Sequence, residues 1–152
     1  MGSAIALRRE HKAPAVRSAV EFRNALEQAL AGVDADERSG ALLRAAGLAI
    51  RFSFPDLKMV LNVAPSDDPG HHLRWSFEDG PEWSPKLELE MDSEVANAYL
   101  QGRESLAIAM ARRRIRYTGE SRVALLYVPA IRLICEPYRR VVEDEYPHLA
   151  IA

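Results

Sequence analysis

Hydrophobic residues recur along this chain with two different periods, and the change between them separates helical from extended segments. From residue 19 to residue 33 they return every three or four positions, which places them on one face of a helix. The positions concerned are Ala19, Phe22, Leu26, Ala29, Leu30 and Val33. Pro14 suits the first turn of this helix, and Gly32 is expected near its end.

A second helix is predicted directly after the first. Asp34 or Asp36 can cap its N-terminus through a side-chain oxygen, and Gly47 is the residue type that commonly ends a helix. The residues expected to point inward are Leu42, Leu43 and Ala46.

From residue 50 the period changes to two, and five segments alternate an apolar with a polar residue. This alternation predicts five strands, each with one apolar and one polar face. Their apolar positions are Ile50, Phe52 and Phe54; Leu57, Met59, Leu61 and Val63; Leu73, Trp75 and Phe77; Leu87, Leu89 and Met91; and Ile115 and Tyr117. Pro55-Asp56 joins the first two strands as a hairpin, and loops are expected at 65–70 and 78–85.

Further helices are expected around the fifth strand. One is capped at Asp92 or Ser93 and closed by Gly102, and a shorter one runs over 105–111. After the fifth strand, a short helix over 120–128 is cut at Pro129. A last helix follows over 130–146, with a kink at Pro137 and an end before Pro147.

These elements predict an α+β fold with two layers. A five-stranded, mostly antiparallel sheet would carry helices on one face only, because every predicted strand has one charged face. The length of 152 residues fits one domain. We expect that domain over 14–147, a flexible N-terminal arm at 1–13 and a tail at 148–152.

Composition excludes several classes of protein. The net charge of −2 offers no general attraction to nucleic acid, so no nucleic-acid partner is expected. A single cysteine, Cys135, excludes an intrachain disulfide and a cysteine-based zinc cluster, and it is compatible with a cytoplasmic location. Cys135 lies in the apolar run IRLIC, which favours a buried thiol over a nucleophile. The sequence contains no run of about 18 apolar residues, so no membrane-spanning helix is predicted.

The remaining clusters of polar residues are weak candidates for chemistry. Arg112, Arg113, Arg114 and Arg116 fit the charged face of an edge strand better than a phosphate or headgroup site. The adjacent His71 and His72 point to opposite sides of a strand and make a poor metal site. Nucleotide-binding glycine motifs and the G-x-S-x-G motif are absent, so no catalytic residue, cofactor or metal is expected. Trp83, in the loop EDGPEWSP, is either an exposed docking tip or packed back on the domain.

The segment around GRESLAIAMARRRIRYTG resembles the sterol carrier protein 2 domain family. Ala109 and Gly119 follow Gly102 by 7 and 17 residues, as in that family, and LELEMDSE (87–94) is similar to its strand running into an acidic helix start. The hairpin IRFSFPDLKMVLNV resembles the opening strands, and the similar part extends from about residue 20 to 128. Arg113 stands where many members have glycine, so a different helix-to-strand turn is expected.

The resemblance, to a small stand-alone bacterial-type member, implies an apolar tunnel between the layers. It implies non-catalytic binding or carriage of a fatty acid, fatty acyl-CoA, sterol or isoprenoid lipid. By position, the expected ligand contacts are Phe77, Leu89, Met91, Leu100, Leu106, Met110, Ile115, Tyr117, Leu126 and Ile134. Arg113 is a candidate headgroup contact.

One alternative is an accessory, protein-interaction domain of the same fold, with a filled core and no ligand. If the domain binds lipids, its expected partner is a lipid or other long apolar small molecule. Transient membrane contact, a homodimer and a partner enzyme are all left open by the sequence.

Overall fold

The computed structural model describes residues 14–80 and 83–151, and within these ranges the chain forms five α-helices and five strands. The predicted arm at 1–13 lies outside the described residues. The helices are α1 (Ala19–Ala35), α2 (Glu37–Ala46), α3 (Ser93–Leu100), α4 (Leu106–Ala111) and α5 (Ser121–Glu145). The strands are β1 (Ile50–Phe54), β2 (Met59–Pro65), β3 (Leu73–Ser76), β4 (Leu87–Met91) and β5 (Ile115–Gly119).

The strands form one mixed sheet in the order β3-β2-β1-β4-β5. β1 and β4 are parallel, and the other neighbouring pairs are antiparallel. Phe52 lies opposite Leu61 on one side and Leu89 on the other, so the apolar positions of neighbouring strands share a face. This arrangement confirms the predicted α+β fold.

Helices cover the apolar face of the sheet, as predicted. Phe22 of α1 contacts Phe54 of β1 edge to face, with ring centroids 5.1 Å apart, and its ring also meets Tyr138 of α5 at 6.3 Å. The Tyr127 hydroxyl donates to the Gly47 carbonyl at 2.9 Å, which ties α5 to the end of α2. α1 and α5 therefore form the main part of the helical layer.

The opposite face of the sheet is polar. Ion pairs join Arg51 to Asp79 and Arg116 to Glu90 across it. Trp83 lies on this face, with its ring 4.5 Å from the guanidinium carbon of Arg74. Trp83 is thus packed back on the domain.

The first two helices differ from prediction at two points. α1 begins at Ala19 and not at Pro14, because the Ser18 hydroxyl accepts the Glu21 N–H at 3.2 Å and caps the helix there. Leu42 is 51% exposed, and only Leu43 among the three predicted inward residues of α2 is fully buried.

The predicted break at Pro129 is wrong, because α5 continues from Ser121 to Glu145 through both Pro129 and Pro137. Each proline removes one backbone hydrogen bond. The apolar side of the helix nevertheless stays in register across both prolines and is buried throughout, at Tyr127, Ala130, Ile131, Ile134, Tyr138 and Val142. Tertiary packing of this stripe therefore outweighs the local preference for a break.

The C-terminal segment returns to the helical layer. The amides of Asn97 and Gln101 both donate to the Leu149 carbonyl, at 3.0 and 2.9 Å. The Ile151 N–H donates to the side-chain oxygen of Gln101 at 2.9 Å. These bonds hold the segment beside α3, with Leu149 buried.

Candidate functional site

A cleft of about 1060 Å³ opens between the β4–β5 edge of the sheet and the first half of α5. We call it the cleft throughout. Its floor is formed by Leu87 and Leu89 of β4 and by Tyr117 of β5. These side chains point into it because the strands alternate, and each occupies an apolar-face position.

Helices form the walls of the cleft. α4 contributes Leu106, Ala107 and Met110, while Tyr99 enters from the end of α3. α5 contributes a stripe with helical spacing, at Ser121, Ala124, Leu125, Val128, Ile131, Arg132 and Cys135. The lining is therefore mostly aliphatic and aromatic.

The first half of α5 leaves large apolar side chains uncovered. Leu125 lines the cleft and is 74% exposed, and its neighbour Leu126 is 69% exposed but points away from the cleft. Exposed apolar side chains beside an apolar cleft are typical of a surface that binds another molecule.

One end of the cleft is polar. Arg103 and Arg132 line it there, and neither makes an ion pair among the residues that the structure describes. Glu104 also lines this end, but its carboxylate is already paired with the guanidinium of Arg114. The charge of this end is therefore positive.

Two groups at the same end are uncharged, the half-buried Cys135 and the buried Tyr99. Burial raises the pKa of the Cys135 thiol to about 11, so the thiol is protonated near neutral pH. Tyr99 is 6% exposed, and its hydroxyl has no hydrogen-bond partner among the described residues. Burial also raises the pKa of this phenol well above its ordinary value.

A second, internal cavity of about 20 Å³ lies deeper between the layers. Its walls include Leu26 and Leu30 of α1 and Phe52 and Phe54 of β1, and Tyr99 separates it from the cleft. It is far too small for a lipid chain. A continuous tunnel between the layers stays a prediction.

The ten predicted ligand contacts lie in different parts of the structure. Leu89, Leu106, Met110 and Tyr117 line the cleft. Met91, Leu100 and Ile134 line the internal cavity, and Ile115 is buried in the core. Phe77 lies just beyond β3, 4.6 Å from the guanidinium carbon of Arg23, and Leu126 faces solvent.

Arg113 lies outside the lining of the cleft, in the turn between α4 and β5. Its φ of 60° is left-handed, the conformation that glycine adopts most readily. Arg113 therefore occupies a glycine-type turn, and its side chain is exposed.

Sequence reasoning missed Tyr99, Arg103, Arg132 and most of the α5 wall. The signal for that wall was present, since positions 121, 124, 125, 128, 132 and 135 share one helical face. Dividing the helix at Pro129 concealed this stripe.

Other candidate chemistry has structural roles. His71 and His72 bind Asp34 and Glu37, at 2.6 and 3.2 Å. In 14–80 and 83–151, no group of three or more His, Cys, Asp or Glu residues could hold a metal ion. Across the same ranges, every helix is too short or too polar to cross a bilayer.

No protein-family profile and no curated protein sequence matches this chain. Solved structures match it in fold. The ubiquinone synthesis protein UbiJ-SCP2 is 12% identical with a TM-score of 0.56, and the match covers 76% of this chain and 96% of that protein. Sterol carrier protein 2 from Yarrowia lipolytica, in its apo form, is 11% identical with a TM-score of 0.52, covering 80% and 91%.

One matching structure belongs to a larger enzyme. The inverting sec-alkylsulfatase Pisa1 from Pseudomonas sp. is 13% identical with a TM-score of 0.51, over 68% of this chain. The chain spans only 15% of the length of that enzyme. At these identities the likeness shows the fold alone: this chain has the fold of the sterol carrier protein 2 domain, as the resemblance in its sequence implied.

Proposed function

We propose that this chain binds and carries one hydrophobic molecule in the cleft. The candidate ligands are a fatty acid, a fatty acyl-CoA, a sterol and an isoprenoid lipid. The observation that carries the proposal is the cleft of about 1060 Å³, apolar along most of its lining, in a domain with the sterol carrier protein 2 fold.

Burial of apolar surface supplies the binding free energy. Each Å² of hydrocarbon removed from water contributes roughly 25 cal/mol. The cleft lies at the upper end of the size range of small-molecule sites, about 300–1,000 Å³. Met110 in its wall is flexible and polarisable, which suits a site that adapts to its ligand.

The proposal assigns no covalent chemistry to the chain. Cys135 is the cysteine that lines the cleft, and its raised pKa of about 11 makes it a poor nucleophile near neutral pH. The similarity to part of an alkylsulfatase is compatible with this view, since the matching part is a small share of that enzyme.

The names of similar proteins guide the choice of ligands for the first test. One neighbour is named for ubiquinone synthesis and another as a sterol carrier, so a prenyl quinone and a sterol belong in the test beside a fatty acid and a fatty acyl-CoA. The exposed Leu125 and Leu126 would serve as contact points with a membrane or partner protein during loading. We place the activity in the cytoplasm, in keeping with the unpaired Cys135.

The first test is native mass spectrometry of the purified protein, followed by solvent extraction and identification of the lipid. We expect a co-purified lipid at one molecule per chain. A bare protein that also binds no added fatty acid, acyl-CoA, sterol or prenyl quinone would contradict the proposal and favour the accessory domain.

A matched pair of variants tests the location of the ligand. Ala124→Trp places a large ring inside the cleft, whereas Leu126→Trp places the same ring on the exposed side of α5. We expect Ala124→Trp to weaken binding of a fluorescent polyene fatty acid by at least about tenfold. Leu126→Trp should bind as the wild type does.

Met110→Arg should also prevent the ligand from binding, since it brings a charge into the apolar wall of the cleft. Circular dichroism and thermal unfolding show whether each variant is folded. Unchanged affinity in folded Ala124→Trp and Met110→Arg would place the ligand elsewhere.

A further inference from the structure

We infer that the cleft selects an amphiphile with an anionic group, and that Arg103, Arg132 and Tyr99 form the subsite for that group. This inference rests on the proposed function and assigns the ligand's chemical class and its orientation. The anionic group is a carboxylate or a phosphate ester on a long hydrocarbon chain.

The two ends of the cleft differ in chemistry. Along α5 the lining runs from Ser121 to Cys135, which corresponds to about 20 Å of helix. The end near Ser121 carries Leu125 and the aromatic ring of Tyr117, and both residues are exposed. The end near Cys135 carries the charged groups.

Backbone contacts and chain position bring the three subsite residues to that second end. The Cys135 thiol contacts the Tyr99 carbonyl at 3.9 Å, so the end of α3 lies against α5 at this level. Arg103 follows α3 directly, and its N–H donates to the Ala98 carbonyl at 2.8 Å. Arg132 precedes Cys135 by less than one helical turn.

Within the described part of the chain, neither Arg103 nor Arg132 forms an ion pair. Glu104 is the carboxylate that lines the cleft, and the ion pair with Arg114 already satisfies it. Arg103 and Arg132 are left to bind an anion from outside. Guanidinium groups match carboxylate and phosphate oxygens in geometry and can donate two hydrogen bonds to each.

Tyr99 adds an independent sign of a polar ligand. Its hydroxyl is buried, lacks a partner among the described residues and belongs to a residue that lines the cleft. Buried hydroxyls are nearly always hydrogen-bonded in native proteins. An anionic oxygen bound beside Arg132 would supply the missing acceptor, with the hydrocarbon chain extending toward Leu125.

The test compares three ligands that share one chain: dodecanoate, dodecyl phosphate and dodecan-1-ol. Each displaces a fluorescent fatty acid from the delipidated full-length protein. We expect at least one of the two anions to bind about tenfold more tightly than the alcohol, as hydrogen bonds to charged groups predict. The stronger of the two anions identifies a carboxylate or a phosphate headgroup.

Variants then assign the preference to residues. Arg103→Gln/Arg132→Gln should remove the preference, so that the two anions bind no more tightly than dodecan-1-ol. Tyr99→Phe should reduce it in part. Arg113→Gln, an exposed arginine outside the cleft, is the matched control and should keep it.

Each outcome decides between the hypotheses. Equal binding of all three ligands by the wild type, or a preference that survives in the double variant, overturns the subsite and leaves the hydrophobic carrier intact. Failure of all three ligands to displace a bound fluorescent fatty acid also overturns the subsite. Failure of the fluorescent fatty acid itself to bind, together with acyl-CoA, sterol and prenyl quinone, overturns the carrier. A preference that disappears only in the subsite variants supports the inference.

Discussion

At the scale of single residues, two buried tyrosines differ in what their hydroxyl groups contact. The Tyr138 hydroxyl donates to the side-chain oxygen of Asn97 at 2.8 Å, within the cluster that holds the C-terminal segment. The Tyr99 hydroxyl has no partner in the described residues. The same side chain thus stabilises the fold at one position and leaves its hydroxyl unpaired at the other.

Removing each hydroxyl separates these roles. Tyr138→Phe should lower the free energy of unfolding by about 1 kcal/mol, because it deletes a buried hydrogen bond. Tyr99→Phe in the ligand-free protein should leave it unchanged or raise it, because it deletes an unpaired polar group. Urea unfolding measures both variants. Equal losses in the two would contradict the assignment of Tyr99 as unpaired.

At the scale of elements, the two halves of α5 have different structural roles. Its second half packs on α1 in the core, while its first half stands away from β4 and β5 and forms one wall of the cleft. Pro129 lies between the halves and lines the cleft itself. Pro137 of α5 lies beside Gly32 of α1, where the two helices pack together.

Replacing either of two helical glycines by alanine should change the stability of the protein, in opposite directions at the two positions. A Cβ at Gly32 would meet only Pro137 Cβ, at an ordinary 4.0 Å, so Gly32→Ala should stabilise the protein by about 0.5–1 kcal/mol. A Cβ at Gly40 would lie 2.5 Å from the His72 ring, so Gly40→Ala should destabilise it by about 1–3 kcal/mol. Thermal unfolding tests the pair, and a destabilised Gly32→Ala would contradict the described α1–α5 contact.

At the scale of the whole molecule, Asp34 fastens the helical layer to the start of β3. Its carboxylate accepts the His72 and Leu73 N–H groups at 2.7 and 3.0 Å and contacts His71 Nδ1 at 2.6 Å. Burial alone would raise the pKa of Asp34, but these hydrogen bonds together lower it. The hydrogen bond to Asp34 raises the pKa of His71, and the nearby Asp68 adds to the shift.

The stability of the protein should therefore depend on pH through this contact. Because the pKa of His71 is raised in the folded state, its contribution is complete below about pH 6.5 and is lost as pH rises through the folded value. Because the pKa of Asp34 is lowered, its contribution is complete above about pH 4 and is lost as pH falls through the folded value.

Urea unfolding at about pH 6 and about pH 8 tests the histidine, with stability expected to fall between them. His71→Gln should reduce this fall, because it removes the group that titrates. An identical pH dependence in the variant would show that His71 does not contribute.

Local pattern determined much of this protein from the sequence. Alternation at Phe52, Leu61 and Leu89 identified the strands and the face that each buries, because a strand places every second side chain on one side. Ser105 and Gly102 marked the ends of short helices, and the resemblance of the segment around them to a known family implied the fold. These features depend on residues only a few positions apart.

Only the tertiary structure decided the site. The parallel pairing of β1 with β4, the continuity of α5 through Pro129 and the distance of α5 from β4 all depend on contacts between residues far apart in the chain. They placed Arg103 and Arg132 at the cleft and left Arg113 outside it. Hydrophobic residues recur with the same period along the sequence whether they fill a core or line a cavity, because the period reflects only which face of the element is buried. The packing of elements far apart in the chain decides whether that face meets other side chains or an open cleft.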